Sequence, residues 1–227
     1  MTEFSKLKKN LLYWIGMMMG NSVLLYPLNF ILPRAHSFKI PKDTDILIDG
    51  FQRSGNTFFY SLVRHANKDV SILVHRHSSI YCVKALSKGV PTAVCIRQPL
   101  DTISSLLAWD PKLSVGIAIK MYLRYYNNLI AFKEKLIIVP FESMITDPDY
   151  FISKINEQFD IHLRPTEFND QALAQFLERK KEKSRHRGVA SAYPNAEKNP
   201  LKHTLKIKIE KHPQFKEALK CYESFCK

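Results

Sequence analysis

The stretch ILIDGFQRSGNTFFYSLVRH, residues 46–65, decides the fold of this chain. Its apolar opening from Ile46 to Ile48 predicts a buried strand, the segment Gly50–Gly55 predicts a turn, and Asn56–His65 predicts a helix. A turn between a strand and a helix aims successive backbone N–H groups, together with the positive end of the helix, at one point. The sequence therefore predicts an anion-binding turn here.

The residue types within the turn limit which anions it could bind. GFQRSGNT, residues 50–57, has the spacing of a Walker A phosphate loop, but Asn56 stands where that loop has its lysine. Arg53 offers a cation from inside the turn, and Ser54, Asn56 and Thr57 add hydrogen-bond donors. Without the lysine the γ-phosphate of ATP is poorly served. A glycine turn of this kind also joins strands to helices where nothing binds, so the turn alone leaves both alternatives open.

Further strands and helices alternate along the rest of the chain. The predicted elements are, in chain order, strands at Val70–Val74, Pro91–Ile96 and Leu136–Val139, and helices at Leu100–Trp109, Leu113–Lys133, Asp149–Phe159, Thr166–Lys183 and Ile209–Cys226. Residues 184–200 are polar and predict a loop. The alternation predicts an α/β fold, with a central, mainly parallel sheet flanked by helices. We expect a single domain over residues 41–227, since that length suits one core.

A second polar segment follows the third predicted strand. RQPLDTISS, residues 97–105, starts at the carboxyl end of that strand and runs into a helix. Ligands of open α/β sheets gather at the carboxyl ends of strands, so Arg97 is well placed to contact one. Pro99 suits a helix start, Asp101 suits the first turn, and Ser105 follows one turn later on the same face. An arginine beside a hydroxyl suits a phosphate monoester, but the same residues also suit capping and packing.

Composition points to an anionic partner of some kind. The chain carries 34 Lys and Arg residues against 21 Asp and Glu residues, for a net charge of +13. A basic excess attracts nucleic acid, acidic lipid or a polyanionic nucleotide, and it also arises on an ordinary solvated surface. The basic residues are scattered and form no nucleic-acid motif, so we do not expect nucleic acid as a partner.

The cysteines indicate neither a metal site nor a disulfide scaffold. The chain has four of them, and their spacing forms no CxxC pair and no cluster with histidine. We therefore expect no zinc and no other metal. Reduced, buried thiols are expected, which fits the cytosol.

The amino-terminal segment, defined as residues 1–40, contains a long uncharged stretch. Residues 11–32 form an uncharged stretch that is long enough to cross a bilayer, although Asn21, Pro27 and Asn29 lower its hydropathy. Basic residues flank both ends and no small-residue cleavage site follows, so we expect no removed signal peptide. Three alternatives stay open: a helix lying in the membrane interface, a type II span, and a helix packed on the domain. We expect a cytoplasmic protein or one associated with the membrane on its cytoplasmic side.

Taken together, the two polar segments resemble the nucleotide-binding core of sulfotransferases that use 3′-phosphoadenosine 5′-phosphosulfate (PAPS). In that family a P-K-S-G-T-T-W loop binds the 5′-phosphosulfate and an R-x-P-x-D-x-x-x-S segment binds the 3′-phosphate. QRSGNTF, residues 52–58, stands for the first motif, with Arg53 for the usual lysine and Phe58 for the frequent tryptophan. Every keyed position of the second motif is matched, by Arg97, Pro99, Asp101 and Ser105.

Two later segments extend the resemblance, which covers residues 45–188. PFESM, residues 140–144, resembles the family's Y-E-D-[ML] stretch and implies that Phe141 lies beside the adenine. RHRG, residues 185–188, resembles the loop that returns to the 3′-phosphate, although a short basic loop also arises by chance. The cofactor-binding residues that the resemblance implies are Arg53, Ser54, Gly55, Asn56, Thr57, Phe58, Arg97, Ser105, Phe141, Arg187 and Gly188.

The resemblance implies a P-loop domain that moves a sulfuryl group from PAPS to a hydroxyl or amine of an acceptor, without a metal. Arg53 would neutralise charge on the leaving phosphate, and His77, which follows the second strand, would be the general base. His75 is the competing candidate for that base. The acceptor is expected to be a small molecule, a lipid or a carbohydrate.

Two rival functions stay open beside the sulfotransferase. One is a P-loop nucleotide or small-molecule kinase, which the asparagine in the lysine position disfavours. The other is a non-enzymatic basic protein that binds nucleic acid or an anionic membrane. The first would bind ATP with Mg²⁺, and binding by the second would fall steeply with salt.

Overall fold

The computed structural model describes residues 39–166 and 199–226, together with the isolated helical residues Asn10, Leu11 and Ile15. In these ranges strands and helices alternate along the chain. The strands are β1 Ile46–Gly50, β2 Ile72–Val74, β3 Thr92–Ile96 and β4 Ile137–Pro140. The helices are α1 Asn56–Ala66, α2 Ser79–Ser87, α3 Pro99–Trp109, α4 Val115–Asn127, α5 Phe141–Met144, α6 Pro148–Phe159, α7 Asn199–Glu210 and α8 Phe215–Cys226, with a 3₁₀ helix at Ile130–Lys135.

The four strands form one sheet in the order β2-β1-β3-β4, and every neighbouring pair is parallel. In the register, Ile48 pairs with Val74 on one side and with Ala93 on the other. All four strands therefore end at the same edge of the sheet. This confirms the prediction of an α/β fold with a parallel sheet, and it brings the segments that follow β1, β2, β3 and β4 close together.

Alternate residues of the two central strands face opposite helical layers. Leu47 and Val94 pack into one apolar cluster with residues of α2, α3, α4 and α8. Ile48 and Cys95 pack into a second cluster with residues of α1 and α6. These four side chains have no exposed surface. Burying an aliphatic side chain of this size contributes roughly 1.5–3 kcal/mol, so both layers stabilise the central strands.

Helix α2 was not among the predicted elements. It follows the polar run after β2, and Ser78 caps it by accepting a hydrogen bond from the Tyr81 N–H at 3.3 Å. Ser78 also has an extended backbone, as an N-cap residue should. The cap serine was therefore the sequence signal for this helix.

Two predicted helices were too long, and for both the structure shows a break. The helix predicted over Leu113–Lys133 ends at Asn127, and a separate 3₁₀ helix follows. The helix predicted over Ile209–Cys226 is instead two helices, α7 and α8, with Pro213 between them. Proline has no N–H to donate and its ring clashes with the preceding turn, so one helix cannot run through that position. Helix α7 also begins at Asn199, inside the predicted loop.

Other predictions fall wholly or mostly outside the described residues. The helix predicted over Thr166–Lys183 is described only at Thr166, which is not helical. The apolar residues 11–32 are described only at Leu11 and Ile15, which have exposed fractions of 55% and 40%. Within the described ranges, every helix is too short or too polar to cross a membrane.

Candidate functional site

The turn after β1 is held in a shape that requires glycine at its end. Gly55 has a left-handed backbone with φ of +99°, and a Cβ atom there would lie 2.6 Å from Cδ2 of Phe141. Within the turn, the Ser54 N–H donates to the Phe51 carbonyl at 3.2 Å. Since no L-side chain fits at Gly55 without moving Phe141, the turn and the segment after β4 are packed directly together.

The turn leads into the N-terminal end of α1, where no acidic side chain of the first turn balances the positive partial charge of the helix. Gly55 is the N-cap of α1, its residue type offers no side chain to cap the helix, and the first turn contains no acidic residue. Thr57 lies half-buried in that first turn. Because the N–H groups of a first helical turn point outward with partial positive charge, this end of α1 favours an anion.

Asn56, in the position of the Walker lysine, braces the turn from beneath. Its side chain is buried, and its Nδ2 donates to the carbonyls of Gly50 at 2.9 Å and Phe51 at 3.2 Å. Both amide hydrogens are thereby used on the backbone. Asn56 therefore shapes the turn, and its amide nitrogen does not replace the cation of a Walker lysine.

Ser54 and Phe58 turn toward the interior of the domain. The Tyr126 hydroxyl donates to the Cys95 carbonyl at 2.9 Å, so the Ser54 hydroxyl, 3.1 Å from the same oxygen, is the donor to Tyr126. Phe58 packs in the apolar cluster beneath α1. Both side chains therefore support the turn from the interior of the domain. Their positions in the sequence motif do not predict this inward direction.

The two polar segments meet through Arg53 and Ser105. The Nε–H of Arg53, in the turn, donates to Oγ of Ser105, in α3, at 3.1 Å, across 52 positions of sequence. Ser105 is buried, and Arg53 is half-buried with a left-handed backbone at φ of 70°. The structure therefore joins two residues that the resemblance to sulfotransferases assigns to opposite ends of one nucleotide.

Arg97 lies over the Phe141 ring, which packs against the turn. Its guanidinium carbon is 4.2 Å from the centre of the Phe141 ring, and that ring contacts Gly55. The backbone of Arg97 is fixed, because its carbonyl accepts from the Tyr122 hydroxyl at 3.0 Å. Its Nε is buried and has no hydrogen-bond partner among the described residues. A half-buried arginine whose buried Nε donor is unused is a feature that an anionic ligand would satisfy.

The Asp101 side chain contacts helix α7. It forms an ion pair with Lys206 of α7 at 2.6 Å, and the N-cap of α3 is Gln98 without a side-chain hydrogen bond. The carboxylate of this motif therefore fastens α7 to the start of α3.

His77 lies at the same edge of the sheet, in the loop after β2. Its Nδ1 is 2.9 Å from the Gly50 carbonyl, and its backbone N–H donates to Asp49 Oδ1 at 2.9 Å. The side chain is 28% exposed. His75 is exposed, and the centre of its ring is 5.7 Å from that of His77. His77 thus contacts the turn through the Gly50 carbonyl.

Asp49 is a functional candidate that the sequence reasoning missed. It is fully buried at the end of β1, beside the turn. Burial raises the pKa of the Asp49 carboxyl, while the charge of His77 and backbone N–H groups oppose that rise. An acidic residue directly after the apolar run from Ile46 to Ile48 was the available signal.

Two of the predicted cofactor-binding residues, Arg187 and Gly188, lie outside the described residues. No group of three or more His, Cys, Asp and Glu side chains suited to a metal occurs in residues 39–166 and 199–226. No protein-family model, curated protein or solved structure matches the chain.

Proposed function

We propose that this chain is a sulfotransferase that binds PAPS at the edge of the sheet and transfers its sulfuryl group to an acceptor hydroxyl or amine. The observation that carries the proposal is the hydrogen bond from Arg53 Nε to Ser105 Oγ. It makes the turn and the second polar segment one site, as a single nucleotide with two phosphorylated ends requires.

The described residues fit such a nucleotide. The uncapped start of α1 and Arg53 provide positive charge for the 5′ end. The 3′-phosphate has Arg97, whose buried Nε lacks a partner, and Ser105. The ring of Phe141 lies between Gly55 and Arg97, which suits contact with a base. Two separate cationic groups favour a ligand with two separate anionic groups.

Bound PAPS supplies an activated sulfuryl group on its 5′-phosphate. In an in-line displacement, the acceptor oxygen forms a bond to sulfur as the bond from sulfur to the phosphate oxygen breaks. Arg53 and the start of α1 stabilise the negative charge that develops on that phosphate. His77 takes up the acceptor proton, and adenosine 3′,5′-bisphosphate (PAP) leaves with the bonding electrons.

The test compares PAP with ADP by thermal unfolding. PAP carries the 3′-phosphate that Arg97 and Ser105 would hold, and ADP does not. A ligand present at about 100 times its Kd stabilises the protein by roughly 2.7 kcal/mol, and 1 kcal/mol shifts the Tm of a chain of this size by about 2–4 °C. We expect PAP to raise the Tm by about 5–11 °C on this basis and ADP to raise it much less.

Matched arginine variants locate the binding. Arg97→Met should abolish the PAP shift, because it removes the cation and keeps the bulk of the side chain. Arg164→Met is the control: Arg164 is exposed, pairs with Asp69, and lies beside the loop that precedes β2, at the opposite edge of the sheet. Equal shifts with PAP and ADP, or a larger shift with ATP and Mg²⁺, would contradict the proposal and favour the kinase.

A further inference from the structure

The loop after β2 holds two histidines in a backbone shape that needs external support. His75 has φ of 60° and His77 has φ of 49°, both in the left-handed region. A residue with a side chain costs roughly 1–2 kcal/mol in that region, so contacts elsewhere must hold the loop. For His77 and Ser78 those contacts come from Asp49, whose Oδ1 accepts the His77 N–H at 2.9 Å and whose Oδ2 accepts the Ser78 N–H at 3.3 Å.

Asp49 is surrounded by donors from several elements. Besides the two backbone N–H groups, Oδ2 accepts from the Tyr125 hydroxyl of α4 at 3.3 Å and from the Cys82 thiol of α2 at 3.8 Å. A carboxylate can accept all four, since it offers two oxygens and no hydrogen. An amide in the same place offers one oxygen and turns an N–H₂ group toward other donors. The position therefore demands an acid.

The contacts of the His77 ring decide which of its nitrogens carries the hydrogen. Nδ1 is 2.9 Å from the Gly50 carbonyl and 3.3 Å from Nδ2 of Asn56. The two hydrogens of Asn56 Nδ2 are used on the carbonyls of Gly50 and Phe51. A bare Nδ1 would set its lone pair against the Gly50 oxygen, so Nδ1 carries a hydrogen and donates it to that oxygen. Nε2 then keeps its lone pair.

We infer that Asp49 is the positioning residue that holds His77 with Nδ1 protonated and Nε2 ready to accept a proton. Asp49 Oδ1 is 3.8 Å from Nδ1, so the carboxylate also stabilises the imidazolium that forms when Nε2 takes the proton. The use of Nε2 as a base rests on the proposed sulfuryl transfer. The fixed state of the ring does not, because it follows from contacts within the chain.

The first measurement is the tautomer of His77 in the wild-type protein. Long-range ¹H–¹⁵N correlation spectra of histidine-labelled protein distinguish a protonated Nδ1 from a protonated Nε2, and His77→Gln assigns the signal. We expect the Nδ1–H form, whereas an unconstrained imidazole favours Nε2–H. A His77 ring protonated on Nε2 would overturn the inference whatever any variant does.

The second measurement is the same spectrum of Asp49→Asn, with Asp110→Asn as the control. Asp110 is also a buried acid, and its Oδ1 accepts from the Lys112 N–H at the far end of α3. Asp49→Asn should lose the Nδ1–H signal of His77 and show the averaged signal of a mobile ring, and Asp110→Asn should keep the wild-type spectrum. An unchanged His77 spectrum in Asp49→Asn, or an equal loss in both variants, would overturn the inference.

PAP binding separates this inference from the proposed function. Asp49 contacts the histidine loop, so the Kd for PAP of folded Asp49→Asn should stay within about threefold of wild type, less than 1 kcal/mol. If the wild-type protein shows the Nδ1–H tautomer, Asp49→Asn loses it, and neither protein binds PAP, the sulfotransferase is contradicted and the role of Asp49 is still supported. If Asp49→Asn does not fold, a wild-type His77 ring protonated on Nε2 still overturns the inference.

Discussion

Replacing Gly55 by alanine tests the packing on which the candidate site depends. The added Cβ would lie 2.6 Å from Cδ2 of Phe141 and 2.9 Å from Cε of Met144. Contacts between carbon atoms are comfortable only near 3.5–4.0 Å, so the Phe141 ring would have to move by about 1 Å. Because Arg97 stacks on that ring, a local change of one methyl group should reach the guanidinium.

The cost has two parts of known size. A residue other than glycine at φ of +99° costs roughly 1–2 kcal/mol, and overpacking adds about 1–3 kcal/mol. Gly89→Ala is the matched control, since Gly89 has φ of +73° and nothing lies within 4 Å of its added Cβ. We expect Gly55→Ala to lower the free energy of unfolding by about 2–5 kcal/mol and Gly89→Ala by about 1–2 kcal/mol.

Urea denaturation followed by circular dichroism measures both values, and the m-value shows whether the unfolded states are comparable. The double variant Gly55→Ala/Phe141→Ala gives a further check, because it removes the ring that the new methyl group meets. Its cost should be less than the sum of the single costs by about 1–3 kcal/mol. Equal destabilisation by Gly55→Ala and Gly89→Ala, with additive costs in the double variant, would refute the close contact of the turn with Phe141.

The other predictions concern buried groups. Tyr126→Phe removes a buried hydroxyl that links the turn to β3, so it should lower the free energy of unfolding by about 1–3 kcal/mol in urea, while Tyr150→Phe, at an exposed ring, should change it little. Cys226 is exposed and the other three cysteines are buried, so a thiol reagent should modify one thiol per chain before the others, and faster at alkaline pH because partial burial raises the pKa of the Cys226 thiol; two or more thiols modified together would contradict this. Burial raises the pKa of Asp49 above its ordinary 3.8, so between the two values the folded protein holds a proton that the unfolded chain has lost. Its contribution to stability therefore falls as pH rises through that window, and the free energy of unfolding of wild type relative to Asp49→Asn should decline in urea titrations above about pH 4; a flat difference would contradict it.

Local patterns predicted much of the fold because the strands are short, and the central strands β1 and β3 are buried along their whole length. Such strands appear in the sequence as continuous apolar runs, and all four were found at nearly their observed positions. Helix α2 was missed because nine residues give little periodicity. The helix predicted through Pro213 was wrong because its apolar periodicity was followed past a residue that ends helices.

The candidate site, like the fold, could be predicted only in part from the sequence. Its backbone signals, a glycine turn before a helix and an arginine after a strand, were visible because they depend on neighbouring residues. The directions in which the side chains point could not be predicted from neighbouring residues. Ser54 and Asn56 occupy motif positions yet hydrogen-bond inward, to Tyr126 and to the backbone of the turn. No spacing rule predicts this, since the partner of Ser54 is 72 positions away.

The sequence by itself determined the alternation of strands and helices, the position of the turn, and the excess of positive charge. These follow from local periodicity and composition, which the chain carries without folding. Only the tertiary structure decided that Arg53 meets Ser105, that Arg97 stacks beside the turn, and that Asp49 supports His77. Such contacts join residues that are distant in the chain, and they exist only because parallel strands bring their carboxyl ends to one edge of a sheet.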